Sequence, residues 1–370
     1  QGVDDVRAYS AYNGRLLWSL PLEGVTKPYD QEHLVGVAAT GSNLCLGKDV
    51  LFLHTKAKCL RIEAATGRKL GEFPTPAGAD GKPGTWGYIA CDGGVLFGSL
   101  ADTGHVVHYA YGRSNMKALF SESRELFALD AATGKLKWRH KAESSIRHNA
   151  VAVGGGSVYL IDRPKAARDL FSYKPKKGKE MPAHPTGKLV ALDAATGREK
   201  WRKTENIYGT VLELSVKHDA LLMCYQPTRF RLRSETGGRF AVYRASDGKL
   251  LHDTRANYRS RPVINDRVVY TEPYAWDLLT GEQKEGWRLK RSYGCGTIAG
   301  GRHVLTFRSA TLGYHDLLKN ECPVDYGPIR PGCWINAIPA AGLLLVPDYT
   351  YRCGCSYLIK TSLALEPGGR

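Results

Sequence analysis

The chain lacks any apolar run of the roughly 18 residues that a membrane-spanning helix needs. Its most apolar stretch, residues 340–346, ends at Pro347, so no segment reads as a transmembrane span. The opening Gln1-Gly2-Val3-Asp4-Asp5 carries neither a basic start nor an apolar core, and the sequence as written shows no signal peptide. A processed chain reads the same way. Helical periodicity never persists beyond about two turns. There is no Cys-x-x-Cys-His, which excludes a covalently attached c-type haem. Nine cysteines in 370 residues are too few for a disulfide-built scaffold, and their odd number leaves at least one unpaired within the chain. Acidic residues are outnumbered, 36 Asp and Glu against 52 Lys and Arg, for a net charge of +16. With 43% hydrophobic residues the composition is nevertheless that of a folded globular protein.

What the sequence repeats is a phrase: apolar-x-Ala-x-Asp-Ala-Ala-Thr-Gly-Lys/Arg-x-x-Trp. It is clearest at Ala128-Leu129-Asp130-Ala131-Ala132-Thr133-Gly134, followed by Trp138, and at Ala191-Leu192-Asp193-Ala194-Ala195-Thr196-Gly197, followed by Trp201. Looser copies surround Gly14, Gly67, Gly248 and Gly281. Each copy reads as a hairpin: an alternating strand, Asp and Thr side chains that bond their own turn, a glycine supplying positive φ, and a second strand ending in a large aromatic. Further short strand-like runs, such as 151–161 and 222–225, lie between the copies, so each repeat holds about four strands. Four-stranded units repeated radially make a β-propeller, in which neighbouring blades bury each other's faces.

The phrase resembles the quinoprotein-type repeat of pyrroloquinoline-quinone alcohol dehydrogenases and of the propeller-type outer-membrane assembly lipoproteins. The resemblance covers most of residues 6–290 and implies an all-β propeller and an exported location, periplasmic or secreted. The whole of 1–370 is expected to be one domain, with blades continuing past Gly281. Seven innermost strands are expected, near 33–41, 86–90, 146–150, 208–212, 259–263, 293–297 and 333–337. This predicts seven blades closed by pairing of the two chain ends, or eight with an incomplete first blade. The proline-broken segment 163–188, with eight Lys and Arg against Asp169 and Glu180, reads as a basic surface loop. Residues 229–239 read as an alternating strand with arginines on one face.

Innermost strands line the axial channel, so the candidate functional residues are those they carry. For catalysis these are His148, Tyr208 and Arg261. For ligand binding they are Trp86, Tyr88, Arg147, Asn149, Arg259, Tyr293, Trp334 and Asn336. Guanidinium forks hold carboxylates or phosphates and rings stack on the faces of sugars or flat ligands. Cys295, Cys333, Cys353 and Cys355 are candidates for disulfides in the closing blades, or for a metal. The spacing Cys353-Gly354-Cys355 departs from the local pairs of structural zinc sites.

These residues suit a propeller that binds an anionic ligand or partner at its channel mouth. An anionic polysaccharide or other anionic surface fits the charge, and nucleic acid is the less favoured match. Two enzymic alternatives stay open. A polysaccharide lyase acting on uronic-acid polymers would use His148 and Tyr208 for proton transfer and Arg261 to neutralise the uronate. A quinone-dependent oxidoreductase would need calcium and quinone, yet there is no Cys-Cys dipeptide and no acidic cluster on the expected inner strands. No cofactor is therefore assigned, and the oligomeric state is left open.

Overall fold

A computed structural model describes residues 4–24, 42–78, 81–107, 120–170, 172–174, 185–228, 231–332, 337–347 and 362–366. Its strands form successive antiparallel sheets in chain order, which we call blades A to H. Blade A is the hairpin Asp5–Tyr9 and Leu16–Pro21. Blade B contains Leu44–Leu46, Val50–His54, Lys58–Glu63 and Lys69–Pro74. Blade C contains Trp86–Asp92, Val95–Ala101 and Glu122–Asp130, and blade D contains Ser157–Asp162, Lys188–Asp193 and Glu199–Lys203. One long strand, Leu136–Gly154, is both the outer strand of C and the inner strand of D. It changes blade where the amides of Glu143, Ser144 and Ser145 all donate to the Asp162 carboxylate.

Blade E is Val211–Ser215, Ala220–Cys224, Arg239–Arg244 and Leu250–Arg255; blade F is Val263–Asn265, Val268–Tyr270 and Ala275–Asp277. Blade G is Ala299–Gly300, Val304–Ser309, Thr311–Asp316 and Glu321–Tyr326; blade H is Ile338–Ala340, Leu343–Val346 and Leu363–Leu365. The first strands of B to H stand beside one another in an unbroken series. Each apolar core lies between consecutive sheets: Val6 with Leu60 between A and B, Trp86 with Phe52 between B and C, Val95 with Val190 between C and D, and Leu312 with Val346 between G and H. This is the radial packing expected of a propeller. The only described helix is the single 3₁₀ turn Ala167–Asp169, and no described helix is long and apolar enough to cross a membrane.

The repeat phrase forms the outer hairpin turn as expected. In the turn after Glu122–Asp130, Asp130 Oδ1 accepts from the amides of Ala132 and Thr133 and from the Thr133 hydroxyl, and Gly134 closes the turn at φ 75°. The aromatic that ends the hairpin reaches across to the next blade. Trp18 Nε1 donates to Ala64 O, Trp138 to Ala194 O and Trp201 to Ala245 O, each ring lying on the turn glycine three residues further on. His252 takes the same place against Leu278 O and Gly281.

Three expectations are corrected. The inner strands of E, F and G begin three to six residues later than expected, because the residues ahead of them belong to the crossovers between blades. Within 163–188 the first part is interior: Arg163, Ala166, Arg168 and Asp169 are all buried. The stretch 231–238 is turn and loop with Leu232, Ser234 and Glu235 buried, so only Arg239 begins a strand.

Candidate functional site

Because strands alternate in direction, the connection between the second and third strands of a blade emerges at the same face as the crossover to the next blade. The repeat turns, between third and fourth strands, emerge at the opposite face. The first face therefore gathers the long connections, among them 163–187 and 225–238.

Three blades are tied beneath this face by a buried charge network. Arg147, on the inner strand of D and only 2% exposed, donates through Nε to Glu122 (3.0 Å), through Nη1 to Ser234 (2.8 Å) and Glu235 (3.1 Å), and through Nη2 to Asp169 (2.7 Å). Arg163 donates to the carbonyls of Tyr208 and Gly209. The carboxylates are further held by Ser145, Thr210, the Gln226 amide and Ser234. Burial by itself disfavours charge on Arg147, but Glu122, Asp169 and Glu235 outweigh it and raise its pKa. Burial together with neighbouring Arg147 lowers Arg163 to about 10.

Arg147, expected among the ligand-binding residues, thus has its guanidinium bonded to three carboxylates and a serine of the protein. Trp86 is likewise a core residue, 1% exposed, edge-on to Phe127 and bonded through Nε1 to Tyr88 O. Tyr88 packs against the core between C and D, and burial raises its phenol pKa. Asn149 is buried on the inner strand of D. His148 is buried too, its Nε2 2.7 Å from Ser123 Oγ, which meets Ser99 Oγ at 2.7 Å. Gly87 makes room for the imidazole, since a Cβ there would sit 2.6 Å from Nε2.

The three residues expected to catalyse have separate partners. Tyr208 donates to Asp253 (3.1 Å) beneath the Arg239 guanidinium, 3.6 Å from its ring centroid. Burial, then Asp253, raises its pKa, which disfavours the phenolate that a base needs. Arg261 bonds Glu213 at 3.0 Å. None of the three lines the cleft described next.

Arg259, Tyr293 and Cys295, by contrast, come together. They line a cleft of about 330 Å³ with Arg231, Glu272 and Arg291, built from the 225–238 connection of E, the crossovers into F and G, and the 271–274 turn of F. All four segments emerge at the first face. Arg291 donates to Glu272 at 2.8 Å, and the Arg259 amide donates to Glu272 O, which fixes the wall. Gly294 permits the closest approach, because a Cβ there would lie 2.3 Å from Arg308 O. Arg308 stands 5.4 Å from the Tyr293 ring centroid, and Tyr293 is 40% exposed. Arg231 and Arg259 are exposed and form no ion pair among the described residues. The cleft so gathers three guanidiniums against one carboxylate beside a partly exposed aromatic ring, and guanidinium forks of this kind have the geometry to hold carboxylates or phosphates. Arg291 carried no signal in the sequence; Arg231 lay in a stretch read as a strand. Cys295 is buried, and Cys333, Trp334, Asn336, Cys353 and Cys355 lie outside the described residues.

A family model described as outer membrane protein assembly factor BamB matches residues 2–304. The chain belongs to that family of PQQ-repeat propellers. No curated protein sequence matches it. Among solved structures it is similar to BamB from Moraxella catarrhalis at 13% identity and TM-score 0.52, covering 93% of this chain and 91% of that one. It is similar to the quinohemoprotein alcohol dehydrogenase of Comamonas testosteroni at 12% identity and TM-score 0.58, covering 92% and 67%. The computationally designed Ika8 protein is similar at 13% identity and TM-score 0.58, covering 99% and 91%. These likenesses concern the fold. The residues do not fit a calcium-bound quinone: no three His, Cys, Asp or Glu side chains among those described are placed to share a metal, and the densest carboxylate group is turned onto Arg147.

Proposed function

We propose that this BamB-family propeller is a binding protein of the cell envelope, and that its cleft at Arg231, Arg259, Arg291 and Tyr293 takes an anionic polysaccharide. The envelope location rests on the family, whose model bears the name of an outer-membrane assembly factor. The ligand class rests on one observation: two exposed arginines without ion-pair partners among the described residues flank the partly exposed ring of Tyr293 in a shaped cleft. Polyanion contacts through arginines weaken as salt rises. The hairpin of A and the sheet of H hold five strands between them, more than one four-stranded blade takes, which supports a ring of eight blades over one of seven.

Calorimetric titration with oligogalacturonate, and with a neutral oligosaccharide of equal length, tests this reading. The acidic oligomer is expected to bind, less tightly in high salt, and the double variant Arg231→Gln/Arg259→Gln to lower its affinity by about tenfold or more. Equal affinity for the neutral oligomer, or an undiminished double variant, overturns it. Growth of the ultraviolet band of an unsaturated uronate during the titration would instead establish the lyase.

A further inference from the structure

The arginine cleft holds one carboxylate, Glu272, whose place in the fold leaves part of it unused. Glu272 sits in the 271–274 turn between the second and third strands of blade F. Its backbone is fixed on both sides. The amide donates to the hydroxyl of buried Ser260 (2.9 Å), and the carbonyl accepts the Arg259 amide (2.8 Å). The turn is closed by Thr271, whose amide (3.0 Å) and hydroxyl (2.8 Å) both donate to Tyr274 O. It is tied to the crossover into G by the Leu289 amide, which donates to Pro273 O at 2.9 Å. Glu272 is therefore held in the cleft wall.

Only one of its carboxylate oxygens is occupied. Oε2 accepts from Arg291 Nε at 2.8 Å, in a pair whose arginine side chain is 8% exposed and whose glutamate is 18% exposed. The same guanidinium reaches Gly296 O through Nη1 at 3.4 Å. Among the described residues Oε1 accepts from no donor, and it is open to solvent rather than sealed in the interior. An ionised carboxylate can only accept, so its free oxygen calls for a donor. A hydroxyl group supplies one. A phosphodiester, a sulfate or a second carboxylate supplies none and is repelled by the charge.

From this geometry we infer, resting on the reading of the cleft as a polyanion site, that Glu272 determines its specificity: Oε1 accepts from a ligand hydroxyl while Arg231 and Arg259 take the ligand's anionic groups. The ligand must then carry hydroxyl donors beside its negative charges. A uronic-acid residue of a polysaccharide has both, and the backbone of DNA or a polyphosphate has only the charges. Glu272 thus weakens binding of bare polyanions and favours those whose hydroxyl meets it, so it selects by rejection as well as by contact.

Calorimetry on the full chain with three polyanions of equal charge tests this: oligogalacturonate, the same oligomer O-methylated at its 2- and 3-hydroxyls, and oligothymidylate DNA. Wild-type protein is expected to bind oligogalacturonate about tenfold more tightly than the other two, the size of one hydrogen bond to a charged group. In Glu272→Gln the amide oxygen keeps the Arg291 bond and the NH₂ group turns to the cleft, a donor in place of an acceptor. That variant is expected to lose the preference, and to bind the methylated oligomer and the DNA more tightly than wild type because one negative charge is gone. A glutamate that only braced Arg291 would shift all three affinities together. If wild-type protein binds oligogalacturonate and its methylated form alike, the cleft stands as a polyanion site and the role of Glu272 is overturned, with no variant needed. DNA bound as tightly as oligogalacturonate overturns it in favour of a nucleic-acid ligand. Binding of none of the three overturns the reading of the cleft and the role of Glu272 with it, and a Glu272→Gln variant that keeps the wild-type preference overturns the role alone.

Discussion

Single residues carry the repeat. Trp138 is 7% exposed and bonded to Ala194 O in the next blade, so Trp138→Ala should destabilise by about 3–5 kcal/mol in urea unfolding, the usual cost of truncating a buried aromatic. A cost below about 0.5 kcal/mol, typical of a surface change, would remove its standing as an inter-blade anchor. Gly134 has φ 75° and a Cβ there would fall 2.3 Å from Phe73 of the preceding blade, so Gly134→Val should lower Tm markedly. Gly14 has φ 67° but open space around it, and Gly14→Ala should cost only about 1 kcal/mol. The residue types were legible in the sequence because the turn is local. The pairing was not: Trp138 lies against Gly197 of the following repeat, while its own Gly134 receives Phe73.

The pH dependence of stability also begins with residues. His54 is buried neutral, with its pKa depressed to about 3. A group depressed in the folded state contributes stability that is fully present above its unfolded pKa and lost as pH falls toward the folded value. Between roughly pH 6 and 4 His54 should therefore contribute a slope approaching about 1.4 kcal/mol per pH unit, stability falling with pH. Urea midpoints across that range check this, and His54→Phe should flatten the dependence. An identical slope in the variant refutes the assignment.

At the scale of elements, the informative piece is the connection 163–188. Its eight basic residues and four prolines read as a solvated loop, yet Arg163 and Asp169 are buried, because Arg147 of the inner strand needs carboxylates and Asp169 is one of the three that reach it. No local pattern announces that pairing, since Glu122, Asp169 and Glu235 come from three separate blades. Arg147→Ala leaves three carboxylates buried around an empty place and should cost about 3–5 kcal/mol. It should also speed proteolysis within 163–188; unchanged cleavage would show that the connection is anchored otherwise. Burial alone would raise the Glu122 and Asp169 carboxyls, but Arg147 and the surrounding donors hold both below their ordinary values. Their contribution is thus complete above about pH 5 and is lost as pH falls through the carboxylate range.

For the whole molecule, direction of chain sets which segments share a face. Alternating strands deliver the crossovers and the second-to-third connections to one face, and the arginine cleft is built from those segments, with the Arg147 network beneath. The repeat turns, which dominate the sequence to the eye, go to the other face. That separation explains why the repeat identified the fold so well and the site so poorly. Arg259, Tyr293 and Cys295 come together because they sit just ahead of inner strands, where the chain turns onto the face that carries the cleft; Trp86, Arg147 and His148 lie on inner strands and are buried.

The sequence by itself determined the blade: strand alternation, the Asp-Thr-Gly turn and the closing aromatic are short-range, and they specify an all-β repeat from composition and spacing alone. It also determined the excess of positive charge. Tertiary structure decided which of those charges remain open. Arg147, on the inner strand of D, and Arg259, on the crossover into F, are the same residue type. One is consumed by Glu122, Asp169 and Glu235 and the other faces a cleft, because burial and partner choice depend on contacts between residues as far apart as Arg147 and Glu235.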